Sequence, residues 1–313
     1  MLFRIKDKIL NLFIKYFVKK FYYRKLRLIG HSHLLKFRKN YKNIKKINEL
    51  DYKIFSQNGE DGIIDYLLYE LKIETPKFVE IGIGDYSECN TRFIFETCNS
   101  KGLIVDCIKN LKKKILNNII FWKGDLTILE KFIDPENINS LLIENKFDKD
   151  LDLFSLDIDG VDYWILKQLK NKFAKIAVIE FNPNFGPDLE VTVPNIKNFN
   201  RTKYHYSNLC FGASLKAIVN LMSSKGFIFV GVNKNCINAF FVNEDEVKNI
   251  NLEIPNSQNL SSFTNSNYRE SRSIEGNLNF LTGKNKINEI KECEVINLDN
   301  QKNEKVKIKE LLC

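Results

Sequence analysis

The sequence predicts an α/β protein whose sheet is mostly parallel and is closed by an antiparallel strand pair. Between about residues 77 and 180, short apolar runs rich in β-branched and aromatic residues alternate with stretches of helical pattern. That alternation is typical of parallel strands joined by helices. Farther along, the runs GFIFVGV and INAFFVN are separated only by residues 233–236. So short a connection predicts an antiparallel hairpin.

The parallel part should contain five buried strands, which are the runs KFVEIGI, GLIVD, NIIFW, LDLFSLD and KIAVIE. Helices are expected between them around residues 89–100, 109–116, 137–144 and 162–171. A further helix at residues 212–224 should precede the hairpin. Because the strands twist in a right-handed sense, the helical crossovers between them should be right-handed.

Residues 1–48 are predicted to form a basic helical arm. The arm has fifteen Lys or Arg residues and one acid and so carries +14, whereas the whole chain carries +9, which leaves −5 on the remainder. Because the net positive charge is confined to the arm and the remainder is mildly acidic, nucleic acid is not an expected partner. A helix at the start of the chain would place five polar side chains in one stripe on an otherwise apolar surface. The stripe consists of Arg4, Lys8, Asn11, Lys15 and Lys19. Residues 1–29 are therefore expected either to rest on the inner face of an anionic membrane or to dock on the protein's own core.

The remaining chain divides into a core, residues 49–248, and a polar C-terminal extension, residues 249–313. The extension is expected to wrap the core or to be partly disordered, with NLNFLTG as an ordered piece. The seven cysteines form no CxxC pair, and no apolar stretch approaches the roughly 20 residues that span a bilayer. A cytoplasmic protein with reduced thiols is expected.

The loop after the first strand is the expected ligand site, because a doubly wound sheet binds its ligand there. Its sequence is EIGIGDYSE, in which Glu80, Gly82, Gly84 and Asp85 are the candidate cofactor-binding residues. A dinucleotide-binding loop would have glycine where this chain has Ser87, and acids at a helix N-terminus repel a pyrophosphate. The same acids suit the ammonium and sulfonium charges of S-adenosylmethionine, which is the expected cofactor.

Two further carboxylates are candidates for the nucleoside part of that cofactor. Asp106 ends the second strand, where a carboxylate can accept hydrogen bonds from both ribose hydroxyls. Asp125 follows the predicted third strand and is expected either to accept from the adenine amine or to begin the next helix.

The segment SQNGED precedes a helix of the core. Ser56 or Asn58 is expected to accept hydrogen bonds from the first amides of that helix. Gln57 and Glu60 are placed to close over the cofactor. The other interpretation of Glu60 is that its negative charge stabilises the positive end of the helix dipole.

The fourth and fifth strands end in acids that should lie close together. Asp157, Asp159 and Asp162 follow the fourth strand, and Glu180 ends the fifth. Buried acids without partners are costly, so this group predicts a functional site. Asp157 and Glu180 are the expected catalytic residues, and Asp157, Asp159 and Glu180 could hold Mg²⁺ or supply a general base. Asp162 is expected to cap the following helix.

The connection from residue 182 to residue 210 is long and polar, and such loops are usually functional. His205 is a candidate general base, because the pKa of histidine is nearest neutrality. It lies between Tyr204 and Tyr206, so aromatic packing is the other interpretation. Arg201 is a candidate to contact an anionic group on the acceptor.

Several of these motifs resemble the FkbM-type class I methyltransferases, whose fourth strand ends in an Ile-Asp-Val-Glu-Gly-like motif. The matching segments are LDIDGVDYWILKQL, IAVIEFN, SQNGEDGIIDYLL, EIGIGDYSECNT, GASLKAIVNLMSSKGFIFVG and NAFFVNED. They cover about residues 55–245 in the same order as in that family, with Asp159 where the family has glutamate.

The resemblance implies a Rossmann-like methyltransferase fold for residues 49–248. It also implies an S-adenosylmethionine-dependent O-methyltransferase that acts on a hydroxyl of a sugar, glycolipid or related surface-glycan precursor. Two other functions remain open. One is a nicotinamide-dependent oxidoreductase, which the acidic loop at residues 80–88 disfavours. The other is a non-catalytic, membrane-associated protein that retains the fold.

Overall fold

The structure is a computed structural model that describes residues 28–116, 119, 121–268, 270–299 and 303–312, together with Lys6, Leu10, Leu12, Tyr22, Lys25 and Leu26. The predicted stripe of Arg4, Lys8, Asn11, Lys15 and Lys19 lies outside the described residues. Within the part of the chain described, no helix has both the length and the apolar character needed to cross a bilayer.

Strands and helices alternate through the core. The strands of the main sheet are β1 (Lys77–Ile81), β2 (Lys101–Asp106), β3 (Asp125–Glu130), β4 (Leu153–Leu156), β5 (Ile176–Glu180), β7 (Phe227–Val232) and β8 (Asn238–Asn243). The short β6 (Val191–Thr192), β9 (Glu294–Asn297) and β10 (Glu304–Lys307) belong to a second sheet. The helices are α1 (Glu60–Glu70), α2 (Arg92–Thr97), α3 (Leu111–Leu116), α4 (Ile138–Glu144), α5 (Asp162–Gln168), α6 (Arg201–Tyr204), α7 (Leu215–Ser224) and α8 (Lys284–Glu289).

The main sheet has seven strands in the order β3-β2-β1-β4-β5-β8-β7. Strands β1 to β5 are parallel, whereas β8 runs antiparallel to both β5 and β7. The predicted α/β fold is confirmed: the architecture is Rossmann-like, with a mostly parallel sheet and an antiparallel strand pair. The strand order reverses between β1 and β4, so a crevice opens there at the carboxyl ends of the strands.

The predicted third strand, NIIFW, is wrong. Residues Phe121–Lys123 form a 3-10 helix, and the strand that pairs with β2 is Asp125–Glu130. This strand lies at the edge of the sheet and is half-exposed along most of its length. An edge strand lacks the continuous apolar run of a buried parallel strand, which is why the more apolar NIIFW was misleading.

The C-terminal extension is more ordered than the sequence suggests. Strands β9 and β10 form an antiparallel pair, and β9 also pairs with β6 of the core. NLNFLTG is also ordered, because Leu278 forms an isolated bridge with Arg272 and Leu281 packs against the core, but it contains neither of these strands. Apolar side chains from β9 and the core form a small cluster with Phe185, Val191 and Cys210. The extension therefore wraps the core by strand pairing.

The last part of the arm is docked on the core. Residues 28–37 are helical, and two 3-10 helices follow, Arg38–Asn43 and Ile47–Leu50. The Arg38 guanidinium pairs with the buried Asp65 of α1 at 2.6 Å, and the Tyr41 hydroxyl donates to the same carboxylate at 2.7 Å. This part of the arm is therefore a structural layer over α1 and not a free connector.

Candidate functional site

A cavity of about 880 Å³ opens at the carboxyl ends of the parallel strands. Such a volume suits a nucleoside-sized ligand together with part of a second one. The loops after β1, β2, β3 and β4 form one part of its wall. The other part comes from residues 198–203, Asn208 and Glu270 of the C-terminal extension.

The loop after β1 approaches β4 so closely that glycine is required. Gly82 has φ +86°, and a Cβ added there would lie 1.5 Å from the Asp157 carbonyl oxygen. Gly84 also has a left-handed φ of +54°, and its N–H donates to Asp106 Oδ2 at 2.8 Å. The loop therefore presents bare backbone to the cavity, which permits close approach of a ligand.

Glu80 does not line the cavity. Its carboxylate is buried and accepts hydrogen bonds from the backbone N–H groups of Asn90 and Thr91 at 2.8 and 2.9 Å. The Thr91 hydroxyl also donates to it at 2.5 Å. Burial raises the pKa of Glu80 to about 7. The assignment of Glu80 to direct cofactor contact is therefore corrected: it holds the loop and occupies the amides at the start of α2.

Asp106 and Asp85 lie where the sequence places them. Asp106 ends β2 in the cavity wall, and its Oδ1 accepts from the Ile108 N–H at 3.1 Å. Each carboxylate oxygen has a second lone pair, so Asp106 can still accept from ligand hydroxyls. Asp85 also lines the cavity, and its Oδ1 accepts from the Ser87 N–H at 3.0 Å.

Asp125 is at the wrong end of the sheet for the predicted adenine contact. It is the first residue of β3, it is exposed, and it pairs with Lys101 at 3.5 Å. The reason is the misplaced third strand, since the residues that follow the true β3 are Lys131, Phe132 and Ile133. These three line the cavity, and the sequence analysis missed them.

The SQNGED segment divides between the cavity and the core. Gln57 lines the cavity, but Glu60 is buried elsewhere, where its Oε1 accepts from the side-chain amides of Asn233 and Asn238, each at 2.8 Å. The predicted cofactor contact of Glu60 is therefore corrected. Ser56 Oγ accepts from the Asp61 N–H, one of the first amides of α1, at 3.1 Å, while Gly59 occupies the N-cap position itself.

The acids after β4 and β5 converge as predicted. Oxygen atoms of Asp157, Asp159 and Glu180 all lie within 4.8 Å of one another. Asp157 and Glu180 are hydrogen-bonded to each other, and burial raises the pKa of both groups, as does the repulsion among the three carboxylates. The pair therefore holds a shared proton more tightly than an isolated carboxyl group would. Asp162 begins α5 and accepts from the Ile158 and Gly160 amides, which braces the turn before that helix.

Arg201 connects this cluster to the C-terminal extension. Its guanidinium pairs with Asp159 and, at 2.9 Å, with Glu270, and it also donates to the Tyr268 hydroxyl at 2.6 Å. The same group lies 4.5 Å from the centre of the Phe211 ring. Because two carboxylates already neutralise it, the predicted contact with an anionic acceptor is not supported. The role of the extension was missed, since nothing in its sequence marks residue 270.

His205 lies outside the cavity wall. Its Nδ1 is 2.7 Å from Ser207 Oγ, and its ring stacks on Tyr206 with the ring centres 4.3 Å apart. The histidine also hydrogen-bonds the Cys293 thiol, whose pKa is lowered mainly by Cys210 and secondarily by His205. The predicted catalytic role is therefore corrected in favour of the alternative of aromatic packing.

The cavity is acidic as a whole. Six carboxylates line it against three basic side chains, namely Asp85, Glu88, Asp106, Asp157, Asp159 and Glu270 against Lys131, Arg201 and Lys203. Desolvated carboxylates repel an anionic ligand and attract a cationic one.

The sequence matches no protein-family model and no curated protein. Solved structures of similar fold include an S-adenosylmethionine-dependent methyltransferase from Clostridium acetobutylicum ATCC 824, with 9% identity over 59% of this chain and 90% of that one and a TM-score of 0.37. Another is precorrin-6y C5,15-methyltransferase from Geobacter metallireducens GS-15, with 14% identity over 64% and 98% of the two chains and a TM-score of 0.33. These likenesses concern the fold alone.

Proposed function

We propose that this protein is an S-adenosylmethionine-dependent O-methyltransferase that acts on a hydroxyl of a sugar, glycolipid or related surface-glycan precursor. The observation that carries the cofactor assignment is the position of the Glu80 carboxylate. It accepts from the two amides at the start of α2, where a dinucleotide's pyrophosphate would bind in a Rossmann-like fold. Because this carboxylate already accepts from these amides, they cannot bind a pyrophosphate, which disfavours NAD and suits a ligand that has no phosphate.

The residues of the cavity fit each part of this cofactor. Asp106 is placed to accept from the ribose hydroxyls, and the backbone at Gly82 and Gly84 permits close approach of the ligand. Phe132 and Ile133 offer apolar contact for the adenine, and Asp85 offers a carboxylate for the ammonium group. When bound, S-adenosylmethionine would supply an electrophilic methyl group.

The acceptor half of the cavity supports a neutral, hydroxyl-rich substrate. Four side chains that both donate and accept hydrogen bonds line it, namely Asn198, Asn200, Thr202 and Asn208. The surrounding acids disfavour a phosphorylated acceptor. Asp157, which lines the cavity, would orient the acceptor hydroxyl through a hydrogen bond, and Glu180, which is hydrogen-bonded to Asp157 but does not line the cavity, would hold that carboxyl group in place. Such positioning can lower a barrier by about 7–11 kcal/mol.

The same carboxylates fit a divalent cation as an alternative to the shared proton. Asp157, Asp159 and Glu180 would be its ligands, and Mg²⁺ would supply a Lewis acid beside the acceptor hydroxyl. The ion pair of Arg201 with Asp159 competes with that arrangement. Full activity in EDTA would remove the cation from the proposal, whereas loss in EDTA and recovery with Mg²⁺ or Mn²⁺ would establish it.

Calorimetric titration tests the cofactor assignment. S-adenosylhomocysteine should bind with micromolar affinity, which corresponds to about −8 kcal/mol, and NAD should not bind measurably. If NAD binds more tightly than S-adenosylhomocysteine, the protein is the nicotinamide-dependent oxidoreductase of the first alternative. If neither ligand binds, the alternative of a non-catalytic protein that retains the fold is left. Transfer of a labelled methyl group from S-adenosylmethionine to a glycolipid fraction should then yield a base-stable methyl ether. A base-labile methyl ester would contradict the O-methylation of a hydroxyl.

A further inference from the structure

A short turn before β3 exposes two large aromatic side chains. In the 3-10 helix Phe121–Lys123, Phe121 is 64% exposed and Trp122 is 71% exposed. Leu116, at the end of α3, is also exposed. Adjacent exposed aromatics of this size are unusual on a monomeric protein and mark interaction sites.

Basic side chains surround this aromatic turn. Lys112, Lys113 and Lys114 are exposed on α3, and the Lys123 ammonium lies 5.3 Å from the centre of the Trp122 ring. Aromatic rings flanked by lysines are typical of segments that sit at a membrane surface, where the rings enter the headgroup region and the lysines meet anionic lipids.

The end of the arm exposes a second apolar group. Leu28 and Ile29 are 59% and 62% exposed, and Leu35 is 49% exposed. The neighbouring Leu34 is buried against Phe93 of α2, which anchors this part of the arm beside that helix.

Helix α2 lies between the arm and the aromatic turn. Phe93 contacts the arm through Leu34, whereas Phe95 contacts the turn, because a Cβ added at Gly124 would lie 2.9 Å from the Phe95 ring. Residues 92–96 are buried accordingly. Parts of the arm, α2 and α3 also share one hydrophobic cluster on the same face of the sheet. The two exposed apolar groups therefore flank one helix on one side of the molecule.

We propose that this apolar face, formed by Leu28, Ile29, Leu35, Phe121 and Trp122, rests on an anionic phospholipid bilayer. The charge of the chain selects this partner, since the arm carries +14 and the rest of the molecule −5. Each Lys or Arg near such a surface contributes on the order of 1 kcal/mol. The aromatic turn is thus a second contact in addition to the arm, and it sets which side of the enzyme faces the membrane. This inference does not depend on the proposed methyl transfer.

Trp122 makes the inference directly measurable, because the chain has only two tryptophans. The other, Trp164, donates its indole N–H to the Val193 carbonyl at 2.8 Å and packs against the core. In a Trp164→Phe variant, the emission should shift to the blue on addition of vesicles of phosphatidylcholine and phosphatidylglycerol. Brominated lipid should quench it. If that variant does not fold, the difference in emission between the natural protein and Trp122→Phe reports the same signal.

A binding series separates the turn from the arm. Phe121→Ser with Trp122→Ser should weaken vesicle binding by roughly tenfold or more, and added salt should weaken it further. The matched control is Ile274→Ser, which alters a 75% exposed apolar residue of the C-terminal extension and should leave binding unchanged. Affinity for S-adenosylhomocysteine should be the same in all three proteins.

Four results would each overturn the inference. Unchanged vesicle binding in the double variant, or unquenched Trp122 in vesicle-bound protein, would exclude the turn from the interface. If the protein binds vesicles of pure phosphatidylcholine as strongly as vesicles that contain phosphatidylglycerol, the basic charge does not select an anionic bilayer. A dimer in solution that the double variant dissociates would instead assign this face to a second copy of the chain.

Discussion

Replacement of Asp106 by alanine should weaken the binding of S-adenosylhomocysteine by about a hundredfold. Asp106 lines the cavity at the end of β2, and its two oxygens already accept from the Gly84 and Ile108 amides at 2.8 and 3.1 Å. If the remaining lone pairs accept from the ribose hydroxyls, each charge-assisted bond contributes about 1.5–3 kcal/mol. A net loss of about 3 kcal/mol after partial replacement by water corresponds to that hundredfold change.

The assay is calorimetric titration of the natural protein and of three variants. Asp106→Asn keeps the size of the side chain and one acceptor oxygen, so a loss of about tenfold is expected. Asp125→Ala is the matched control, because Asp125 lies at the amino end of β3, outside the cavity wall, and should not affect binding. Thermal melting of each variant verifies that it folds. Undiminished affinity in a folded Asp106→Ala protein would refute the assignment of this carboxylate to the ribose.

Three other outcomes are expected. Gly82→Ala should destabilise the fold by at least ~3 kcal/mol, measured by urea unfolding, because the added Cβ would lie 1.5 Å from a backbone carbonyl; near-natural stability would contradict this. The pKa of Glu80 is raised to about 7, so the folded state binds more protons than the unfolded state, and stability should fall by about 3 kcal/mol between pH 4.5 and pH 7. In the Glu80→Gln variant, stability measured by thermal melting should depend less on pH over this range. An unchanged pH dependence would show that other acids cause the fall in stability. Arg201→Met removes an ion pair to the C-terminal extension and should speed hydrogen exchange at residues 264–272. The affinity for S-adenosylhomocysteine should stay the same. Unchanged hydrogen exchange would show that the ion pair does not hold the extension.

Local sequence pattern was sufficient for most of the sheet and for part of the site. Buried parallel strands have continuous apolar runs, so β1, β2, β4 and β5 could be predicted, as could the antiparallel hairpin. The loop glycines and Asp106 follow directly from their place at strand ends. The edge strand β3 lacks that continuous apolar run, so its position was predicted wrongly. As a result, Asp125 was wrongly assigned to the cofactor site.

The partners of the acids depended on the tertiary structure. Glu60 meets Asn233 and Asn238 across more than 170 residues of sequence, and Arg201 meets Glu270 across 69. Neither pairing has a local pattern, because each depends on how separate layers pack. The sequence by itself therefore determined the buried parallel strands, the antiparallel hairpin and where the ligand cavity opens. Only the packing of the chain decided which acids line that cavity and which ones accept hydrogen bonds inside the core. The physical reason is that a buried carboxylate is stable only where the fold supplies hydrogen-bond donors.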